Sequence, residues 1–348
     1  MTATGPSKAA AERALRDVPS RRSAPAGELV TAETRLFDLA DLWITGLETE
    51  GRIEQSTINE YRRVLDHLVL PSMGGLRLRE ATRGRLDRLF LKLREQSVNR
   101  QRKAKLVLGA MLAIAVRHDA IPVNPARATS RVHRPKQETK ALRIDDLVEI
   151  RAAVRRWLDA DRTGPRANGD IADIIDLMLA TGCRIGEVLA LRWSDLDLDG
   201  DLTTLAVTGT IKTESGKGTY RKSTPKSDAS RPTVVLPPFA TELLCVRREF
   251  ATPNQYDAVF ATRNGTWHQV VNIERRWRQI RKDTGFEWVT PHTFRKTVAT
   301  LISEATTSEL ASRQLGHSSS QVTRDHYIAK PSVAADLSEL LETLRSEE

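Results

Sequence analysis

The 348-residue chain predicts a mainly α-helical fold with a small antiparallel β-sheet, divided between a helical domain and a mixed α/β domain. Three observations carry that expectation. Apolar residues recur at the 3.6-residue helical period from about residue 35 to residue 128. β-branched runs bounded by turn residues are confined to residues 202–236. Domains run to roughly 100–200 residues, so this length accommodates two.

Residues 1–30 read as a lead-in helix and a Pro-containing tether. In residues 31–128, Leu36, Leu39, Ala40, Trp43 and Leu47 form the first apolar stripe. A second helix is expected to open at Thr57, where Glu60 gives a capping-box spacing, and to bury Ile58, Tyr61, Leu65 and Leu68. A third follows Thr82 with Leu86, Leu89, Phe90 and Leu93 inward. A fourth runs from Ser97 through Val107, Met111 and Ile114, with Pro122 and Pro125 expected to stop it. Residues 129–140 are polar and aperiodic, and read as a linker.

Residues 141–330 form the second domain. Helices are expected over Asp145–Asp159 and Ile171–Leu179, strands over Leu202–Ile211, Gly218–Ser223 and Pro232–Leu236, and helices over Val271–Lys282, Pro291–Ser303 and Ser308–Leu315. Residues 331–348 read as a helical tail, with Val333, Leu337, Leu340 and Leu344 on one stripe.

Composition narrows the function. The chain carries 54 Lys+Arg against 45 Asp+Glu, a net charge of +9, and residues 62–105 alone hold 13 basic and 4 acidic side chains. That concentration is the footprint of a polyanion-binding surface; a solvated helical surface is the plain alternative. Arg83, Arg85, Arg88, Lys92, Arg100, Arg102, Lys103 and Lys105 are the candidate phosphate contacts. Hydrophobic residues make up 40%, enough for ordinary cores, yet no run approaches the roughly 20 apolar residues a membrane span needs. Two cysteines, Cys183 and Cys245, point to neither a disulfide framework nor a four-ligand zinc site. No secretory leader is visible, so the cytoplasm is the expected compartment, with the nucleoid when nucleic acid is bound.

Four segments of the second domain are candidates for chemistry. In Thr181–Trp193, Arg184 follows a glycine near free backbone N–H groups, with Glu187 one turn on to orient it. In Pro291–Arg295, His292 and Arg295 share a helix face. His317 follows a Gly-ended helix. Tyr327 lies near the end of the domain, in a segment expected to be mobile. Each alone fits a bland reading: a surface ion pair, a helix cap or a packed aromatic.

Together, Arg184, Lys226, His292-x-x-Arg295, His317 and Tyr327 occur in the order that resembles the tyrosine recombinase (phage integrase) family. The stretches TGCRIGEVLALRW, TPKSDASR, PHTFR and LGHSSSQVTRDHY are similar to its signatures, and the likeness covers about residues 35–330. The resemblance implies a core-type DNA-binding domain (31–128) and a catalytic domain (141–330) closing around duplex DNA as a C-shaped clamp. Tyr327 would be the nucleophile, forming a 3′-phosphotyrosine. Arg184 and Arg295 would grip the phosphate, Lys226 would protonate the leaving 5′-oxygen, His292 would act as base, and His317 would hydrogen-bond the phosphate. Lys212, Lys217 and Lys222 compete with Lys226 for the acid role. No cofactor or metal is implied.

The implied partners are double-stranded DNA attachment sites and three further copies in a tetramer on DNA, from a monomer when free. A host DNA-bending protein and an excisionase are accessory partners known for such enzymes. The implied biology is integration and excision of a phage or other mobile element. Chromosome-dimer resolution, type IB topoisomerase activity and non-catalytic DNA binding remain as alternatives. Many integrases begin with a β-rich arm-binding domain; here about 30 residues precede the helical domain, which reads as a remnant or as an upstream start.

Overall fold

The computed structural model describes residues 30–132, 138–160, 169–214, 216–223, 233–316 and 319–328. The expected lead-in helix, the C-terminal tail, Lys226 and His317 lie outside the described residues. The fold is mainly helical with small antiparallel sheets, and it divides into two units, Met1–Lys136 and Gln137–Glu348.

In the first unit, α1 (Leu36–Glu50) buries Leu36, Leu39, Ala40, Trp43 and Ile44 and ends at Gly51, whose φ of +63° is the left-handed C-cap glycine adopts without cost. α2 (Gln55–Val64) starts two residues before the expected Thr57, with Glu54 at its N-cap, so the anticipated capping box does not form. It buries Ile58 and stacks Tyr61 on Trp43 at 5.3 Å between ring centroids. The chain continues as a π turn (Leu65–Val69) into the short α3 (Leu70–Met73), which buries Leu65 but leaves Leu68 only partly covered. α4 (Arg83–Gln96) buries the four expected residues, Leu86, Leu89, Phe90 and Leu93. In α5 (Val98–Arg117), the Ser97 hydroxyl accepts the Asn99 N–H at the start. The helix stops at Arg117, before either proline, where Asp119 turns the chain at φ +54°. The start of the expected linker is held on this unit, because Lys105 Nζ donates to the carbonyls of Thr129 and Ser130 at 3.1 and 2.8 Å.

The second unit opens with α6 (Ile144–Asp159) and α7 (Asp170–Thr181), which buries Ile171, Ile174, Leu177 and Met178. The one-turn α8 (Ile185–Val188) follows. The β region consists of two sheets among the described residues rather than the single one expected. The strands β1 (Leu196–Asp197), β2 (Thr204–Ala206) and β5 (Thr233–Val235) form an antiparallel sheet in the order β1-β2-β5. β3 (Gly209–Glu214) and β4 (Gly218–Ser223) form a separate hairpin. The expected strand over Leu202–Ile211 therefore breaks at Val207 and Thr208, where the Thr208 hydroxyl donates to Asp195 at 2.6 Å.

α9 (Pro238–Glu249) is a helix the sequence reading did not foresee; α10 (Val270–Ile280), α11 (Pro291–Ala305), α12 (Ser308–Leu315) and α13 (Ser320–His326) complete the unit. Its core joins α7, α10 and α11. Trp277 lies 5.3 Å from Phe294 and donates its indole N–H to the Val289 carbonyl at 2.8 Å. Among the described residues, no helix is long and apolar enough to cross a membrane.

Candidate active site

The turn after α7, the start of α8, the first turns of α11 and the end of α13 bring Arg184, His292, Arg295 and Tyr327 together. Gly182 caps α7 in the left-handed region at φ +72°, and its carbonyl accepts Arg295 Nη1 at 2.7 Å. Arg295 Nη2 donates to the Leu315 carbonyl, the last residue of α12, at 2.6 Å. The guanidinium, 2% exposed, is thus pinned against the carbonyl ends of two helices, where the partial negative charge of the helix favours a cation. Burial and the nearby Arg184 charge both weaken its hold on the proton, with Glu187 working the other way. A guanidinium remains charged in such a place.

Arg184 is the N-cap of α8. Its N–H donates to Glu187 Oε2 at 2.7 Å and its Nη1 to Oε1 at 2.8 Å, so the anticipated orienting partner is in place. Burial opposes its charge, but Glu187 and the Tyr327 phenol outweigh burial and strengthen its protonation. Glu187 Oε2 also lies 3.9 Å from Arg295 Nη1, so one carboxylate faces both guanidinium groups.

Tyr327 closes the site from α13. Its side chain packs with Ala299 and Leu315, its N–H donates to the Thr323 carbonyl at 2.9 Å, and its carbonyl accepts the Thr300 hydroxyl at 3.3 Å. Tyr327 itself is 9% exposed. The Arg295 guanidinium carbon lies 5.6 Å from the centre of its ring. The His292 ring meets it edge-on at 5.0 Å between centroids. Burial, together with the charges of Lys296, Arg295 and Arg184, pushes the His292 imidazole down to about 4. It is therefore neutral at physiological pH, with one ring nitrogen unprotonated. Cys183, next to Arg184 in sequence, is pushed up to about 11 by burial, which leaves it an unreactive thiol.

Lys226 and His317 lie outside the described residues, so the site consists here of Arg184, Glu187, His292, Arg295 and Tyr327. Of the competing lysines, Lys217 pairs with Glu214 at 3.3 Å, and Lys212 and Lys222 sit on β3 and β4. Lys296 was missed, although it is adjacent to Arg295 and helps keep His292 neutral. Arg221 was also missed; its signal lay in the alternation of Gly218–Ser223, which sets it opposite the inward Ile211.

The basic residues of the first unit fall into two groups. Arg83 faces Asp87 at 3.5 Å, Lys103 pairs with Glu60, Arg100 bonds Gln96, Arg102 bonds Asn99 at 3.4 Å, and Lys105 holds the two backbone carbonyls described above. Arg88 and Lys92 stand exposed one turn apart on α4, with Arg85 partly covered beside them.

The arrangement is thus two guanidinium groups and a neutral imidazole around one phenol, all carried by the mixed α/β unit. The chain belongs to the phage integrase family, whose model matches residues 142–332. It is 27% identical over 218 residues to the tyrosine recombinase XerC of Chlamydia muridarum, which covers 61% of this chain and 62% of that protein. It is 24% identical over 193 residues to the XerC of Xanthomonas campestris, covering 53% and 56%. The chain thus spans about 62% of the length of the first of these curated relatives.

Among solved structures it is similar to the Tn1549 transposon integrase in complex with a circular intermediate DNA. That match has a TM-score of 0.71 and 17% identity, over 89% of this chain and 100% of that one. A lambda integrase dimer bound to a COC′ core site matches with a TM-score of 0.67 and 17% identity, over 94% and 90%. At these identities the likeness speaks for the fold.

Proposed function

We propose that the protein is a site-specific DNA recombinase that cuts and rejoins DNA through a 3′-phosphotyrosine on Tyr327. The observation that carries this reading is the placement of the Tyr327 phenol among Arg184, Arg295 and an uncharged His292. A phenol is a poor nucleophile until its proton leaves, and a neutral imidazole beside it can take that proton. The Tyr327 oxygen then attacks the scissile phosphorus, the bond to the 5′-oxygen breaks, and that oxygen leaves as a hydroxyl on gaining a proton, for which Lys226 is the proposed donor. Arg184 and Arg295 offset the charge gathering on the non-bridging oxygens; one such donor is worth about 10²–10³ in rate. The phosphotyrosine conserves the bond energy, so rejoining is the same step reversed with a different 5′-hydroxyl.

Residues 31–128 serve in this reading as the core-site DNA-binding domain and residues 141–330 as the catalytic domain, with His317 as a further phosphate ligand and residues 331–348 as a tail that docks on a neighbouring copy. The assembly is a tetramer on paired attachment sites, as in the lambda integrase tetramer bound to a Holliday junction, a structure this chain resembles with a TM-score of 0.64. The biology is integration and excision of a mobile element, with an excisionase and a DNA-bending protein as accessory partners. The XerC relatives favour a second reading with the same chemistry, a chromosome-dimer-resolving recombinase.

The test uses a nicked DNA substrate carrying a recombination site selected by binding to the wild-type protein. The wild-type protein is expected to form a covalent adduct that resists denaturation, and Tyr327→Phe to bind the DNA equally but form none. An undiminished adduct in Tyr327→Phe would sink the assignment.

A further inference from the structure

We propose that Arg221 is a positioning residue for Arg184, bolting the β3–β4 hairpin to the back of α8 so that the start of that helix cannot drift from the phosphate. The inference rests on the reading of Arg184 as a phosphate ligand and deepens it.

The Arg221 side chain is 8% exposed and ties four segments together. Its Nε donates to the Ala190 carbonyl just beyond α8 at 2.8 Å, and its Nη1 to the Ser223 hydroxyl at the end of β4 at 3.2 Å. Its Nη2 donates to Asp195 Oδ2 at 3.2 Å and to the Thr208 hydroxyl at the entry to β3. Asp195 in turn accepts the Arg192 N–H at 3.0 Å. With its donors engaged inside the protein, Arg221 has little left to offer DNA, and burying a guanidinium is costly unless its geometry is met throughout.

Two glycines make the hairpin and α8 move as one piece. A Cβ on Gly209 would lie 2.6 Å from the Arg221 guanidinium carbon, so that position is kept bare for it. Gly186, two residues after Arg184, lies directly on β3; a Cβ there would come within 2.8 Å of Thr210 Oγ1. The contact is made by the Thr210 side chain, a short β-branched group with only χ1 free to yield, and the Ile211 carbonyl lies next, 3.6 Å from the same point. A shift of the hairpin is therefore transmitted to α8, and with it to the Arg184–Glu187 pair at its first turn.

A methylphosphonate at the scissile position tests this, because a methyl group replaces one non-bridging oxygen and removes the charge that a guanidinium offsets. Arg221→Met in the full chain should bind DNA as wild type does and cleave the phosphodiester about 10²-fold more slowly, the usual cost of displacing a catalytic group by an ångström. On the methylphosphonate that deficit should shrink by at least an order of magnitude, in parallel with Arg184→Ala. An equal deficit on both substrates, or wild-type cleavage of the phosphodiester, overturns the proposal. Should Arg221→Met not fold, Gly186→Ala presses α8 away from Thr210 with the Arg221 network intact and must show the same compensation; equal deficits there are also fatal. If Arg184→Ala itself is equally slow on both substrates, the phosphate-ligand reading falls, and the inference with it.

Discussion

His292 carries the pH behaviour of the site. Burial, Lys296, Arg295 and Arg184 depress its proton affinity from the ordinary 6.5 to about 4. The unfolded chain therefore binds a proton more readily than the folded one below pH 6.5. The stability this neutral imidazole contributes is complete above about 6.5 and drains away as the pH falls towards about 4. The His292 ring signals, followed by NMR in the free protein, should titrate near pH 4 and stay flat through 6.5. His292→Gln should lose less stability than wild type over that interval; a midpoint near 6.5 would show that neither burial nor the neighbouring cations act on the ring as described.

Elements differ in how plainly their sequence announces them. α12 falls on its expected bounds, because Thr307 caps its start by accepting the Leu310 N–H and Gly316 ends it at φ +63°. Both are local signals. α4 was equally legible, with an unbroken stripe from Leu86 to Leu93. α9 escaped notice because its apolar residues do not sort plainly to one side: Ala240 and Leu244 are buried, whereas Phe239 and Val246 are exposed. β1 has two residues, too few to carry a period, and exists because β2 pairs with it. The catalytic phrases were legible one by one, but their convergence depends on Gly182, whose carbonyl holds Arg295 from 113 positions away in sequence. Gly182→Ala forces an L-residue to φ +72° and puts a Cβ 2.7 Å from Leu315 Cδ2 and 3.2 Å from Val298 Cγ1. Left-handed strain and overpacking together should cost about 2–4 kcal/mol, read as a lower denaturation midpoint at unchanged m-value. A shift within error would mean that the α7–α12 junction yields freely.

For the whole molecule, charge and chemistry are separated along the chain. The net +9 is carried by residues 1–135, with 24 basic against 15 acidic side chains, while residues 136–348 hold 30 of each. In the proposed reaction this second half can be neutral, because its two guanidinium groups would act on one phosphate at short range. The first would hold the polyanion, and exposed Arg88 and Lys92 are better placed for that than Lys103 or Lys105, which are engaged with Glu60 and with backbone carbonyls. Affinity for DNA should fall steeply with salt, and Arg88→Ala and Lys92→Ala should each reduce the log–log slope by roughly 1, whereas Lys105→Ala should change it less. Equal slopes in all three variants would remove α4 from the interface.

The central claim is that the Tyr327 phenol becomes joined to DNA, and peptide mapping of the trapped adduct tests it most directly. After protease and nuclease digestion, mass spectrometry should find a nucleotide on the peptide containing Tyr327, linked through its 3′-phosphate, with a free 5′-hydroxyl on the released strand. A nucleotide on Tyr61, Tyr220 or Tyr256, or a 5′-phosphate linkage, would contradict the account.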